Sequence, residues 1–531
     1  MKEFNNFVPS ELLSGRIKQR LSQLTGLISR NRGRGLISVL IKGWLPILGR
    51  LTPSSSKFTA LFAFHVYRIW KGSGVPGVVI YLKASQVLFQ QAVGGQIIED
   101  MTPLNVRVKR SRSGYPAFIP VTERRRVKLG DVERIRFWMT LMGLYRVLEF
   151  PGKLKLSTIW KPSTSITSFR EVIPLIGPFW QWLGDPSGNP KTVWKHDMKV
   201  TQFPIMKSSP DTEVWSLSGP TLSIRSVSTH IGAILTTAKA LRDSPLWIPI
   251  SNWLLKTSNF SLYVKLMLAA SYARIGSRFL GKLSRKVEPA GKIRIFAMVD
   301  PWTQWIFRPL HLKIFSLLRP LSTDGTFNQL APVHRLLERV GPVPELYSYD
   351  LSAATDRLPI LLQTFIIRSK FYGLEEDWAK ILVARDYWLK VSVRELSDIP
   401  LEAYRERWNN EMGNQFIALR YAAGQPMGAL SSWAMLALTH HFIVQWAWMR
   451  VLKARGKDWS PCEDYAILGD DIVLSGSELA GHYVQIMSEL GVEIGFAKSL
   501  VARKRAVVEF AKHFFIPQDA SPVAYREIIA S

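Results

Sequence analysis

The stretch YAILGDDIVLSG, residues 465–476, leaves a chain little freedom. Two apolar arms flank Gly469, Asp470 and Asp471. Gly-Asp between strand-forming runs is hairpin chemistry, because a tight two-residue turn needs a residue that accepts positive φ. A hairpin fixes register, and register fixes which face of each strand is buried. Two adjacent like charges between buried arms then have two readings. They are turn residues only, or they are carboxylates presented to a divalent metal. At average Gly and Asp usage, about one chain in ten of this length holds the triplet by chance. The surrounding sequence therefore has to decide.

With 531 residues the chain can form two to four domains or one large multi-lobed enzyme, and its 47% hydrophobic content suffices for a sizeable core. The charge is lopsided: 69 Lys and Arg stand against 41 Asp and Glu, a net +28, with a pI near 10.1. That calls for a polyanionic partner, either nucleic acid or an anionic membrane surface. Phosphate contacts alone carry no sequence specificity. The single cysteine, Cys462, excludes an internal disulfide and a Cys-based zinc site. His440 and His441 are adjacent and point to different faces of a helix, so they read as core or surface residues rather than joint ligands. SSWAMLALTHHFIVQWAWM, residues 431–449, carries His-His and Gln in its middle and reads as a buried helix rather than a membrane span.

Residues 12–98 contain no acid and 12 Lys or Arg. RIKQRLSQLTGLISRNRGRGLISVLIKGWL within them is Arg-rich and amphipathic, as a mitochondrial transit peptide is, and equally as a basic RNA-facing extension is. The basic character continues through RVKRSRSG (107–114) and ERRRVK (123–128), beyond a presequence, which favours a nucleic-acid surface. KPSTSITSF (161–169) and GDPSGNPKT (184–192) read as loops. Residues 220–285 read as mostly helical, ending in RIGSRFLGKLSRK.

From there the chemistry is dense. In RKVEPAGKIRIFAMVD (285–300), Lys286, Lys292 and Arg294 punctuate a strand pattern. Lys292 and Arg294 are two apart and share a strand face, which could grip a triphosphate; a solvated edge strand is the ordinary alternative. In ELYSYDLSAATDRLPILL (345–362), Asp350 ends a strand and Asp356 sits at the turn into a helix announced by Pro359. Taken alone, both acids would read as capping or turn residues. YAAGQPMGALSSWAMLALTHH (421–441) sets Gly424, Pro426 and Gly428 in a tight loop ahead of a long helix, with Ser431 and Ser432 at its first turn and a stop at Gly456. A strand-end Asp with a hairpin-tip Asp pair can hold two Mg²⁺ for in-line phosphoryl transfer, and hard carboxylate oxygens suit that ion. Lys498, in LGVEIGFAKSL, could act as a general acid toward a departing pyrophosphate, a surface lysine being the ordinary alternative. VVEFAKHFF (507–515) reads as a further apolar strand.

Taken together, these blocks resemble viral RNA-directed RNA polymerases in their F, A, B, C, D, E motif order. They look most like mitovirus replicases, through DLSAATDR, GQPMGALSSW, GDDI, EFAK and TDGTF (323–327). The clear likeness covers 285–531, and GYPAFIP (114–120) extends it weakly. The resemblance implies an α+β right hand. Residues 1–130 would be a basic RNA-facing extension, and 131–340 fingers with the basic strand motif at 285–296. Residues 341–372 and 421–515 would form an antiparallel palm, 373–420 a return to the fingers, and 516–531 the start of a thumb. It implies two Mg²⁺ or Mn²⁺ ions, with Asp350 and Asp470 on both and Asp471 assisting. It implies triphosphate contacts from Lys286, Lys292 and Arg294, and ribose selection by Asp356 with Ser431 or Ser432 beside the Gly424 loop. Lys498 would be the general acid.

The partners implied are an RNA template and product and NTPs, the compartment the host mitochondrion. There the N-terminal stretch reads as RNA-binding, and the 19 Trp fit a code in which UGA also specifies Trp. The short distance from Asp471 to the last residue reads as a C-terminal truncation within the thumb. Two alternatives stand beside this reading: an ourmia- or narna-like cytosolic polymerase, and a catalytically inactive RNA-binding relic. Reverse transcriptases are disfavoured, because Leu468-Gly469 precedes the acids.

Overall fold

A computed structural model describes residues 53–165, 168–184, 281–299, 301–341, 345–370, 374–410, 412–495, 499–503, 505–516 and 518–522. Along the chain, helix α1 (Pro53–Val93) breaks at Gly74, whose φ of 64° is non-helical, just ahead of Pro76. Helix α2 (Val132–Met142) starts on an Asp131 cap that accepts the Arg134 amide. Then come β1 (Gly281–Glu288), β2 (Lys292–Val299), α3 (Pro301–Leu318), β3 (Leu346–Asp350), α4 (Ile360–Arg368), β4 (Tyr387–Val391), β5 (Glu406–Asn409) and β6 (Gln415–Leu419). Helix α5 (Ser432–Ala454), strands β7 (Tyr465–Leu468) and β8 (Asp471–Ser475), helix α6 (Ser477–Glu489) and strands β9 (Leu500–Ala502), β10 (Val508–Phe510), β11 (His513–Ile516) and β12 (Gln518–Asp519) complete the order.

The fold is mixed α and β, and rich in antiparallel pairing. The central sheet is antiparallel throughout, in the order β7-β8-β3-β9. Its β7 edge is lengthened by the 323–325 loop: Ile467 donates to Thr323 O and Gly325 donates to Ile467 O. Helices α5 and α6 back this sheet, packing Phe442, Ile443, Tyr483 and Ile486 against Tyr349, Ile467 and Ile472. Each such fully buried side chain contributes about 1.5–3 kcal/mol, which outweighs the polar His and Gln inside α5 once those find partners. The arms of the GDD hairpin are buried because they are the middle of this layer. A second sheet, β2-β1-β4-β6-β5, joins two distant stretches of chain through the parallel β1–β4 pairing. A third small sheet runs β10-β11-β12.

Three sequence expectations change. The helical reading of 220–285 fails at 281–285, which lie in β1; pairing with β2 along the whole strand and with β4 at 282–283 overrides the local pattern. The apolar stretch 507–515 is a hairpin, not one strand. It turns at Ala511 and Lys512, with φ of 53° and 66°, and no Gly or Pro marks the turn. The basic region read as an extension is, over 57–93, a helix sharing a core: Leu82, Phe89 and Val93 pack with Trp138 of α2 and with Leu500 and Ala502 of β9. Residues 1–52, most of the 184–192 loop, and 523–531 lie outside the described residues.

Candidate active site

Asp350 is the last residue of β3 and stands directly opposite Asp471 of β8. Opposed residues on antiparallel strands share a face, with Cα atoms about 4.5–5.5 Å apart. Asp470 occupies the turn between β7 and β8, next to Gly469 at φ 62°. Gly469 is required there twice over. Its conformation disfavours a side chain, and a Cβ would lie 2.5 Å from the Trp433 ring. The crowding shows in the acid strengths. Burial pushes the Asp471 carboxyl up to about 7, and Asp470, Asp350 and Glu509 add to the rise against an opposing bond from the Ala511 amide. Asp470 is raised as well, by burial and then by Asp350, with Arg294 and Lys292 opposing. Buried carboxylates this close together oppose one another's ionisation.

The cations face them from the β1–β2 hairpin. Lys286 opposes Arg294, and Glu288 opposes Lys292, so all four side chains lie on one face. Arg294 pairs with Glu288 at 2.9 Å, a partner the sequence reading left out. A cavity of about 510 Å³ opens between hairpin and turn, lined by Arg294, Gln304, His311, Thr355, Ser432, Trp433 and Asp470. A larger cavity, about 690 Å³, lies between β1 and β4 and is lined by none of the three Asp.

The 421–432 loop is clamped into this cavity's wall by close backbone approach. The amides of Gly424 and Gln425 donate to Asp356 O and Thr355 O, both at 2.9 Å. A Cβ on Gly424 would come within 2.4 Å of Thr355 O, so only glycine fits. Gln425 bridges to Gln363 of α4 and to Ser432 O. Across the loop, Ala297 of β2 donates to Met427 O. Gly424→Ala is therefore expected to cost about 1–3 kcal/mol by overpacking, read as a lower urea midpoint with unchanged slope.

Asp356 is half-buried. Burial raises its carboxyl to about 6, against a bond from Thr158 and the charge of Arg357. Thr158 Oγ1 donates to it at 2.8 Å. The two serines separate. Ser431, expected in the first helical turn, is instead the residue before α5, at φ 76°; it is buried, and its hydroxyl accepts from Trp378 Nε1. Ser432 lines the cavity and donates to Pro426 O.

Beneath the turn, the two histidines have different tasks. His440 Nδ1 donates to Gly469 O at 2.8 Å, and its Nε2 accepts from Tyr483 at 2.7 Å. Carbonyl oxygen only accepts, so the tautomer is fixed. Burial lowers this imidazole to about 4 and keeps it neutral. Tyr483 stacks in turn on Tyr349 of β3, with 6.0 Å between centroids and 4° between planes. His441 binds Asp324 and Tyr465, tying the TDGTF loop to β7. Sequence reasoning placed both in the core or on the surface, but it did not find this support of the turn. It also missed Glu509, Thr158 and Trp433; only Trp433, adjacent to the serines, carried a usable signal. Lys498 lies outside the described residues.

Among the described residues, no group of three or more His, Cys, Asp or Glu is close enough to hold a metal ion as placed. A full protein cage is not what Mg²⁺ requires: it keeps several waters and takes one or two carboxylates plus substrate phosphates. The all-oxygen set of Asp350, Asp470 and Asp471 fits that ion in kind. Among the described residues, no helix is long and apolar enough to cross a membrane.

The family model for mitovirus RNA-dependent RNA polymerase matches residues 191–531. The RNA-directed RNA polymerase of Cryphonectria parasitica mitovirus 1 is 30% identical over 465 residues, covering 84% of this chain. The chain spans 51% of that relative's length. Two uncharacterized mitochondrial proteins of Arabidopsis thaliana are also similar. One is 34% identical over 219 residues, 41% of this chain and 78% of its own length; the other is 33% identical over 183 residues, 34% and 78%.

Proposed function

The chain belongs to the mitovirus RNA-dependent RNA polymerase family, and from that premise we propose that it copies viral positive-strand RNA by nucleotidyl transfer from NTPs. The reading is carried by one arrangement: Asp350 opposed to Asp471 beside Asp470, with Asp470 and Arg294 lining one cavity of about 510 Å³ and the charges of Arg294 and Lys292 acting on Asp470. Asp350 and Asp470 would hold two divalent ions, Mg²⁺ or Mn²⁺, with Asp471 assisting. When bound, such ions would supply Lewis-acid stabilisation of the charge that develops in phosphoryl transfer. The 3′ oxygen of the growing RNA bonds to the α-phosphorus, and the bond from that phosphorus to pyrophosphate breaks. Lys286, Lys292 and Arg294 hold the triphosphate and take up its charge. Lys498 is assigned the proton for the departing pyrophosphate.

In this reading the central sheet is the palm (341–372 and 421–515). The second sheet belongs to fingers drawn from 131–340 and 373–420, and 516–531 opens a thumb. The N-terminal 1–130 contributes basic surface toward RNA. The host mitochondrion is the proposed compartment, in keeping with the family and with the plant mitochondrial relatives. The relic alternative is disfavoured by the intact acids and basic hairpin. The test is incorporation of labelled NMP on a primed RNA template with Mg²⁺ or Mn²⁺. Template-length product supports the proposal; no incorporation by the wild-type chain with either ion overturns it.

Ribose selection is assigned to Asp356 and Ser432, because Ser432 reaches the cavity and Ser431 is committed to Trp378. Ser432→Ala is expected to narrow the NTP-over-dNTP preference by about tenfold or more, since a site built for a hydroxyl loses its grip on it. Ser431→Ala should instead cost about 1–3 kcal/mol of stability by orphaning the Trp378 N–H, leaving the preference unchanged. Single-nucleotide kcat/KM for paired NTP and dNTP, with melting curves, checks both; the opposite pattern would move the assignment to Ser431.

A further inference from the structure

One face of α3 leads away from the cavity. His311, on its wall, has ring centroid 4.1 Å from Phe315, one helical turn on. Phe315 meets Phe327 edge-on at 5.5 Å, and the Arg319 guanidinium lies over the Phe327 ring at 3.9 Å. Positions 311 and 315 of α3 and 319, just past its end with its amide donating to Phe315 O, recur every four residues and so line one stripe. The stripe becomes more open outward: His311 and Phe315 are half-buried, Arg319 is exposed, and Phe327 is 41% exposed. Phe327 belongs to the TDGTF loop, whose Asp324 is locked to His441 and whose Gly325 is bonded to β7. The platform is therefore anchored to the strand that leads to Asp470. At its inner end, His311 Nδ1 is buried without a hydrogen-bond partner among the described residues.

An exposed phenyl ring with a guanidinium packed over it offers apolar aromatic surface beside a positive charge. That is the chemistry that takes an unpaired nucleobase and its phosphate, and every base has a π-face to offer. A net charge of +28 argues for a polyanionic occupant rather than a second protein surface. We infer that His311, Phe315, Phe327 and Arg319 form a track for single-stranded RNA running from the catalytic cavity to the surface, with Phe327 as a base-stacking platform. This rests on the polymerase reading only for the strand's identity as template or product.

The test uses the full chain and a fluorescein-labelled single-stranded oligoribonucleotide, titrated at several salt concentrations beside a fully paired duplex. Phe327→Ala is expected to weaken single-strand binding by about tenfold, with an unchanged salt slope and a smaller loss on the duplex. Phe327→Trp should retain binding. Arg319→Ala should reduce the salt slope by about one. Melting curves should match the wild type for the Phe327 and Arg319 variants. Single-strand binding unchanged in Phe327→Ala and Arg319→Ala, or an equal loss on single strand and duplex, overturns the track. Because binding is read without catalysis, a wild type that synthesises nothing while Phe327→Ala loses RNA overturns the polymerase reading alone.

Discussion

Asp350→Asn is expected to reduce nucleotide incorporation by about a thousandfold or more while RNA affinity stays within about twofold of wild type. The substitution keeps shape and removes charge at the one residue placed across the strand pair from Asp471. A neutral amide is a poor ligand for a hard divalent ion, so both the stabilisation of developing charge and the positioning of the triphosphate fail together. In the proposed reading RNA would be held by remote Lys and Arg, and such binding is not weakened by losing a negative charge. Asp470→Asn should behave alike. Single-turnover incorporation alongside filter binding separates the two quantities. Activity within tenfold of wild type for either variant would remove these carboxylates from the chemistry.

The second large effect couples metal, proton and stability. Asp471 titrates near 7 in the folded chain because burial, and then Asp470, Asp350 and Glu509, penalise its charge. An unfolded aspartate releases its proton near 4. Between those values the folded state holds more protons than the unfolded state, so metal-free stability falls as pH rises through that window and stays lower above it. A divalent cation relieves this repulsion and competes with the proton. Mg²⁺ should therefore raise the melting midpoint more at about pH 8 than at about pH 5. At a hundredfold excess over its Kd, one ion adds about 2.7 kcal/mol, a shift of a few degrees. Asp350→Asn should shrink the shift. Equal shifts at both pH values would contradict carboxylate ligation.

Much of this geometry is written locally. The GDD hairpin, the strand ending at Asp350 and the helix stopped by Gly456 all follow from periodicity and turn residues within a dozen positions. What stayed hidden depends on distant partners. The β1–β4 pairing spans about a hundred residues, and nothing in either strand announces it. The turn at Ala511-Lys512 uses two residues that rarely adopt positive φ, so no local rule marks it. The division of labour between Ser431 and Ser432 follows from Trp378, which sits in a separate helix. His440's task depends on both Gly469 and Tyr483 arriving beside it.

That last feature bears on how a pH–rate profile of this chain would be deconvoluted. Histidine is the side chain that ordinarily gives an enzyme an inflection between pH 5 and 8. His440, though it supports the Gly469 turn, is held neutral across that range by its burial. The mechanical support of Gly469 is then a constant. An inflection near 7 in metal-free ligand binding would report the carboxylates' own protonation, not a loosening of the scaffold that holds them.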